Sequence, residues 1–329
     1  MSNRRISKFR KWSTGYRLED GVTQSMLSAF LACRRRMLYE LAGWESVKQK
    51  SSLRLGSMAH DVLHQYHLGI IGGKVRQPQQ ADRIIRGTVD KCLRKNLKES
   101  SAVNPAEEME LEAVKARAVL EEYVRWWTGD LERDWEEVEA TFDVQFHGFR
   151  LRGRMDGLYR RSKRRFVLYE TKTFSRMNED ELTDKLSFDF QCLFYLTALL
   201  HRADGMVSHA REAQDVLYNM IRVPQLVQGD KETSGQFVGR IREDVRTRPE
   251  HYFKRFDLNF PPEIREEFED ELLLKLREFE TWLGGHLATY KTEGSCFTRW
   301  SCPFVHACAS GRLRPHYAQT RILFRELLD

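Results

Sequence analysis

From Ser25 onward the apolar positions fall at helical steps: Met26, Leu27, Phe30, Leu31, Met37, Leu38 and Leu41. A second helical pattern starts near Leu55, with Gly56-Ser57 at its head, and runs through His60 and Leu63 to about Leu68, where Gly69 ends it. The polar connection Gly72–Gln80 leads to a helix over 81–98, and Pro105 opens a long one over 106–128. The period then changes. Residues 135–146, 149–159 and 166–171 read as strands, and the run Phe166-Val167-Leu168-Tyr169 is apolar enough to be central. Phe188–Leu200 reads as a helix and Asp215–Val223 as a strand closed by Pro224. Ile264, Phe268, Leu272, Leu276, Phe279, Leu283 and Leu287 recur at three or four, which predicts one long amphipathic helix. From Gly294 the chain is irregular and cysteine-bearing, with a short final helix near Gln319–Leu328, and Met1–Glu19 is polar and loose. The order helix, three strands, helix, strand predicts a single α/β domain over 1–329. It divides into N-terminal helices over 20–72, a helical insertion over 73–130, a core over 131–225 and a C-terminal part over 260–329.

The second and third strands flank a basic tip, Arg160–Arg165. Asp156 and Glu170 each stand seven residues from Lys163 at its centre, so a turn centred there makes the two carboxylates cross-strand neighbours. Lys172, two residues after Glu170, leaves its strand on the same face. Two acids and a lysine on one patch are costly to bury unless they hold something, and a divalent cation fits. An ordinary surface hairpin with a salt-bridged face would carry the same triplet. Gly153 and Gly157, on either side of Asp156, permit close approach of another backbone or a ligand and favour a site.

Composition adds limits. With 41% hydrophobic residues, 329 residues can bury a proper core. No apolar run approaches a membrane span, and MSNRRISKFRKW has no apolar stretch behind it that would make a signal peptide, so a cytoplasmic protein is expected, in the host cytoplasm if viral. The net charge of +6, from 54 basic and 48 acidic residues, neither demands nor excludes nucleic acid. Arg34-Arg35-Arg36, Arg150/Arg152/Arg154 and Arg160–Arg165 are basic clusters, while 106–122 and 262–280 are acid-rich, which predicts a basic face against an acidic remainder. Six cysteines in a cytosolic chain argue against a disulfide framework, and Cys92 and Cys192 read as small buried apolar residues.

The pattern Gly153-x-x-Asp156, thirteen residues, Glu170-x-Lys172 resembles the core of the PD-(D/E)XK nuclease superfamily in its RecB-like branch, with Met155 where the proline of the name would stand. Gly56-Ser57-Met58-Ala59-His60 resembles the G-x-x-x-H motif that this branch carries on the helix before its sheet. Gln191-Cys192-Leu193-Phe194-Tyr195 matches its Q-x-x-x-Y motif, with Gln191 and Tyr195 one helical turn apart. His64 and His67 match no motif and read as structural. The resemblance implies a restriction-endonuclease-like α-β-β-β-α-β mixed sheet with helical additions at both ends. It further implies that His60, Asp156, Glu170 and the Thr171 carbonyl hold Mn²⁺ or Mg²⁺, the mixed nitrogen and oxygen set tilting toward Mn²⁺. Lys172 would position the attacking water or stabilise the transition state. Gln191 and Tyr195 would contact the DNA backbone or order that lysine, and Arg152 and Arg154 are further DNA-binding candidates.

Ser25 to Tyr39, with Cys33-Arg34-Arg35 inside it, resembles the leading segment of iron–sulfur RecB-like nucleases. Cys296-x5-Cys302-Pro303-Phe304-x3-Cys308-x2-Gly311 resembles their C-terminal segment; the CRISPR-associated RecB-like exonucleases and AddB nuclease domains share this one-plus-three arrangement. The first interval is wider than the family's, with Arg299 where a cysteine would be expected. Four thiolates suit a 4Fe–4S cluster or a structural Zn²⁺, and the resemblance favours iron–sulfur. A group joining residue 33 to 296–308 would close a very long loop and pin the first helix to the last segment.

The expected activity is therefore metal-dependent hydrolysis of DNA, as an exonuclease on single-stranded ends serving a phage or mobile element in processing, recombination or repair. Other readings are a CRISPR adaptation nuclease trimming spacer precursors, a subunit of a repair complex, a non-catalytic iron–sulfur DNA-binding scaffold and an iron–sulfur electron carrier. No Walker A loop is present, so the chain is not a complete helicase–nuclease.

Overall fold

The computed structural model describes residues 15–47, 51–99, 105–163, 165–175, 182–202, 213–297 and 302–319, with Phe324 and Leu327. The N-terminal half supplies α1 (Gln24–Ala32), α2 (Arg34–Leu41), a short β1 (Trp44–Ser46), α3 (Ser51–Ile71), α4 (Pro78–Glu99) and α5 (Ala106–Trp126). The helical stripe that starts at Ser25 is broken at Cys33, whose φ of −166° and ψ of 113° close α1 and open α2. Thr23 caps α1 by accepting the Met26 N–H at 3.2 Å.

Five strands form the main sheet, and they lie across it in chain order: β2 (Asp134–Phe146), β3 (Phe149–Ser162), β4 (Arg165–Phe174), β5 (Asp215–Arg222) and β6 (Phe253–Asn259). His147 and Gly148, with φ of 47° and 87°, make the two-residue turn between β2 and β3, a geometry that matches the strand twist. β3 and β4 are antiparallel, and β4 and β5 are parallel, joined through α6 (Leu182–Leu186) and α7 (Phe190–Leu200). This is the expected α-β-β-β-α-β mixed core. The antiparallel β6 is an addition that periodicity did not predict, as are α8 (Ser234–Thr247) and α9 (Pro249–Tyr252) before it. β6 interleaves Lys254, Arg255 and Asp257 with its apolar residues, as strands at a sheet edge commonly do.

One face of the sheet packs Leu151, Leu168 and Met220 against Phe30 of α1, Leu196 of α7 and Leu272 and Phe279 of α10 (Pro262–Leu283). The other side holds α3, α5 and α8 through Val62, Tyr66, Val119, Tyr123 and Phe237, with Ile221 and Phe253 of the sheet. A sheet covered on both faces buries its central strands completely, which accounts for the apolar run 166–169. Leu287 lies beyond the end of α10. α11 (Val305–Ser310) follows, and β7 (Tyr317–Gln319) pairs antiparallel with β1. The final helix expected over Gln319–Leu328 falls almost wholly outside the described residues, as do residues 1–14, Arg164 and Arg299. Among the described residues no helix is long and apolar enough to cross a membrane.

Candidate active site

The pairs Gly157–Tyr169, Leu158–Leu168, Tyr159–Val167 and Arg160–Phe166 centre on Lys163, as the symmetric tip predicts, with an irregularity at Ser162–Arg165. One step further the same register would oppose Asp156 and Glu170, but the ladder ends there. β3 continues with β2, while β4 runs on with β5 as far as Phe174–Arg222. The strands part, and the Thr171 N–H on that side is met by a side chain instead of a strand. It donates to Asp156 Oδ2 at 2.7 Å.

His60 reaches this gap because α3 lies very close to β4. A Cβ on Gly56 would stand 2.9 Å from Thr173 Oγ1, so the glycine sets the spacing between helix and strand. One turn on, His60 Nδ1 lies 3.2 Å from Asp156 Oδ1 and 3.9 Å from Glu139 Oε1. No sequence motif marks Glu139. It sits on β2 between the pairs Val138–Gly157 and Ala140–Met155, with a left-handed φ of 49° that is uncommon outside glycine. The signal for it was the turn: counting back from His147-Gly148 puts Glu139 opposite Asp156, by the same arithmetic that opposed Asp156 and Glu170. The donor atoms of His60, Glu139 and Asp156 all lie within 4.8 Å of one another.

On the other side of Asp156, Lys172 Nζ donates to Glu170 Oε1 at 2.5 Å and to Gln191 Oε1 at 2.7 Å. Gln191 Nε2 donates in turn to Tyr195 Oη at 3.0 Å. Gln191 and Tyr195 are thus joined to the lysine by a chain of hydrogen bonds, and Asp189, which caps α7 by accepting the Cys192 N–H at 2.9 Å, fixes the start of the helix that carries them. Glu170 is fully buried, and its Oε2 has no hydrogen-bond partner among the described residues. Burial, reinforced by the Asp156 charge, pushes the Glu170 carboxyl up to about 8. Asp156 raises the His60 imidazole to about 10 against the effect of burial. Burial also works against the Lys172 ammonium, but Glu170 and Asp156 outweigh it and raise its pKa.

Behind the site, Asn219 of β5 donates to Thr171 Oγ1 at 3.3 Å and accepts from Tyr123 Oη and Arg255 Nε, both at 3.0 Å. Arg255 binds Asp130 through two bonds of 2.8 and 2.6 Å. His67 is buried in the same layer and stacks on Trp135 at 4.0 Å between ring centres, in keeping with a structural role. Two expectations change. The rings of Phe142 and Trp135, 2.6 and 3.0 Å from a Cβ at Gly153 and Gly157, are what those glycines admit. The basic clusters of the hairpin meet acids: Arg154 Nε lies 2.7 Å from Glu139, Arg150 Nε 2.8 Å from Asp143 and Arg161 Nη2 2.7 Å from Asp257. Arg160 pairs with Glu136, and Arg152 donates to the Leu327 carbonyl at 2.7 Å.

The four cysteines singled out as a set converge. Cys33, Cys296, Cys302 and Cys308 line one small cavity with Arg36, Lys291 and Phe304, and none of the four is in a disulfide. The Cys302 N–H donates to the Cys296 carbonyl at 3.0 Å, and Lys291 Nζ to the Cys308 carbonyl at 3.0 Å. Burial raises the pKa of the Cys302 and Cys308 thiols. Of the remaining two, Cys192 is fully buried, while Cys92 is half-buried and donates to Asp61 Oδ2 at 3.2 Å.

A fold of this order with an acid–lysine site where two central strands part is that of a metal-dependent nuclease class. The sequence profile of the PD-(D/E)XK nuclease superfamily matches residues 22–309, and the chain belongs to that superfamily: it is a nuclease of PD-(D/E)XK type. Among solved structures, a candidate exonuclease from Eubacterium rectale has the same fold at a TM-score of 0.50 and 8% identity, over 89% of this chain and 90% of that one. A phage-related exonuclease from Haemophilus somnus 129PT matches at a TM-score of 0.34 and 10% identity, over 62% of this chain and 84% of that one. An alkaline exonuclease from Laribacter hongkongensis matches at 0.27 and 11% identity, over 84% and 94%. None of the curated proteins matches the chain.

Proposed function

We propose that this protein is a DNA exonuclease, dependent on Mn²⁺ or Mg²⁺, that degrades single-stranded ends in the DNA processing, recombination or repair of a phage or mobile element, in the cytoplasm. The observation that carries the reading is Asp156: it lies 3.2 Å from His60, accepts the N–H of Thr171, and stands where β3 and β4 part. The residues fit a cation. The donor atoms of His60, Glu139 and Asp156 lie within 4.8 Å of one another, a group that does not include Glu170, and a fully buried carboxylate oxygen, Glu170 Oε2, is left without a partner among the described residues. His60, Asp156 and Glu170 would hold the ion, with the Thr171 carbonyl a further ligand and Glu139 a fourth side chain at the same place. Polarisation of the scissile phosphate and acidification of a water are what a divalent ion supplies when bound there. Lys172, kept charged by Glu170 and fixed by Gln191, holds the attacking water or a phosphate oxygen and meets negative charge as it develops. Gln191 and Tyr195 hold that lysine in place. The convergence of Cys33, Cys296, Cys302 and Cys308 supports a 4Fe–4S cluster with a structural role, Zn²⁺ being the alternative.

End-labelled single- and double-stranded DNA, incubated with Mn²⁺, Mg²⁺ or chelator, tests the activity. Wild type should shorten the single strand from its end with either ion, and Asp156→Ala should not. Equal digestion by the variant would remove the reading. Cuts that leave the ends intact would make the enzyme an endonuclease. Protein purified without oxygen should be brown and lose its colour in acid; a colourless protein with one bound zinc would replace the cluster.

A further inference from the structure

Of the two hairpin arginines expected to bind DNA, Arg154 lies 2.7 Å from Glu139 and Arg152 3.5 Å from Asp143, and the neighbouring Arg150, Arg160 and Arg161 also meet carboxylates, so the charge of the hairpin is largely neutralised inside the protein. The solvent face of α4 is different. Arg83, Lys91, Arg94, Lys95 and Lys98 are all exposed there, and among the described residues none has a carboxylate oxygen within 4.0 Å. At about 100° per residue, Arg83, Lys91, Arg94 and Lys98 lie within about 80° of one another and Lys95 about 40° further on, over a length of about 22 Å, with the exposed Asp90 at the edge of this ridge, about 20° outside Arg83. Ala81, Ile85 and Val89 on the opposite face are buried, so the helix cannot turn this ridge inward.

Two further observations give the ridge a purpose. It runs beside the helix that carries His60: Cys92 of α4 donates to Asp61, the next residue on α3, at 3.2 Å. In its middle stands Gly87, which weakens a helix interior, and a Cβ there would meet nothing within 4 Å. Packing gives no reason for that glycine. A bare backbone at the centre of a cationic ridge lets a bulky anion come close.

We infer that the solvent face of α4 is a track for the phosphate backbone of the DNA strand, holding the part of the substrate that extends away from the scissile bond. The inference rests on the DNA nuclease reading above and deepens it. The track takes no part in bond cleavage; it raises affinity for long strands and makes that affinity sensitive to salt.

The test measures equilibrium binding of fluorescent oligothymidylates, in chelator so that nothing is cut, by wild type and by Lys91→Gln/Arg94→Gln/Lys98→Gln. Glutamine is a good helix former, and circular dichroism checks that α4 survives. For a strand of about thirty nucleotides the variant should bind at least about tenfold more weakly near 0.1 M salt, and its slope of log affinity against log salt should be shallower by about 2, at about 0.7 per lost phosphate contact. A strand of about six nucleotides, too short to fill the site and the track together, should be bound alike by both. Equal slopes on the long strand, in a wild type that binds and digests it, would overturn the track and leave the nuclease reading intact. A wild type that neither binds nor digests DNA would overturn both.

Discussion

The acid pair was legible because it rests on counting. Asp156 and Glu170 are equidistant from a tip whose register the structure keeps, while Glu139 needed the same count from a second turn and carried no motif to prompt it. Its left-handed backbone and its bond to Arg154 hold its carboxylate beside His60. Glu139→Gln should therefore lower Mn²⁺ affinity by about ten- to a hundredfold, the usual effect of removing a supporting partner or an outer ligand, as read by titration of the ion. Unchanged affinity would make Glu139 a partner of Arg154 alone. His67 supplies a separate prediction. Burial holds its pKa down at about 4, against an ordinary 6.5. Below about pH 6.5 the unfolded chain takes up a proton that the folded imidazole refuses until about pH 4, so folding stability falls as pH falls through that window. The loss is on the order of 2–3 kcal/mol. His67→Phe keeps a ring against Trp135 and should flatten that stretch of the stability–pH curve in denaturant unfolding. A curve of unchanged slope would mean that His67 is not the group responsible.

Among the elements, those with long apolar stripes or a buried strand run were readable, and those defined by contacts were not. α3 and α10 follow from their spacing, but the break at Cys33 depends on where the chain must turn, and β6 is a half-charged strand that only its pairing to β5 makes regular. Gly56 lies between these cases. Its place in the G-x-x-x-H pattern is visible in the sequence, and its reason appears only where Thr173 sits against it. Gly56→Val should push α3 away from β4 and carry His60 with it. Hydrolysis should fall by about a hundredfold or more, as a misplacement of about 1 Å can cause, while the far-ultraviolet spectrum keeps its helical content. A variant with wild-type turnover would show that the close approach does not position the histidine.

At the scale of the whole molecule, two apolar layers clamp the sheet, and a buried polar network from Asp130 through Arg255, Tyr123 and Asn219 reaches the Thr171 hydroxyl. The cysteine cavity brings the junction of α1 and α2 to the segment around α11, and β1 pairs with β7, so the N-terminal helices and the C-terminal segment are joined to each other at two places. That Cys33 and the C-terminal three line one cavity could be expected only through the family resemblance, since no local pattern joins residues so far apart. The proposed metal site is tested most directly by following Mn²⁺ binding through its electron paramagnetic resonance signal, together with single-strand digestion, in wild type, Asp156→Ala and Lys172→Ala. Wild type should bind the ion and digest, Lys172→Ala should bind it and fail to digest, and Asp156→Ala should do neither. Digestion by Asp156→Ala at the wild-type rate, with its Mn²⁺ signal unchanged, would contradict the account.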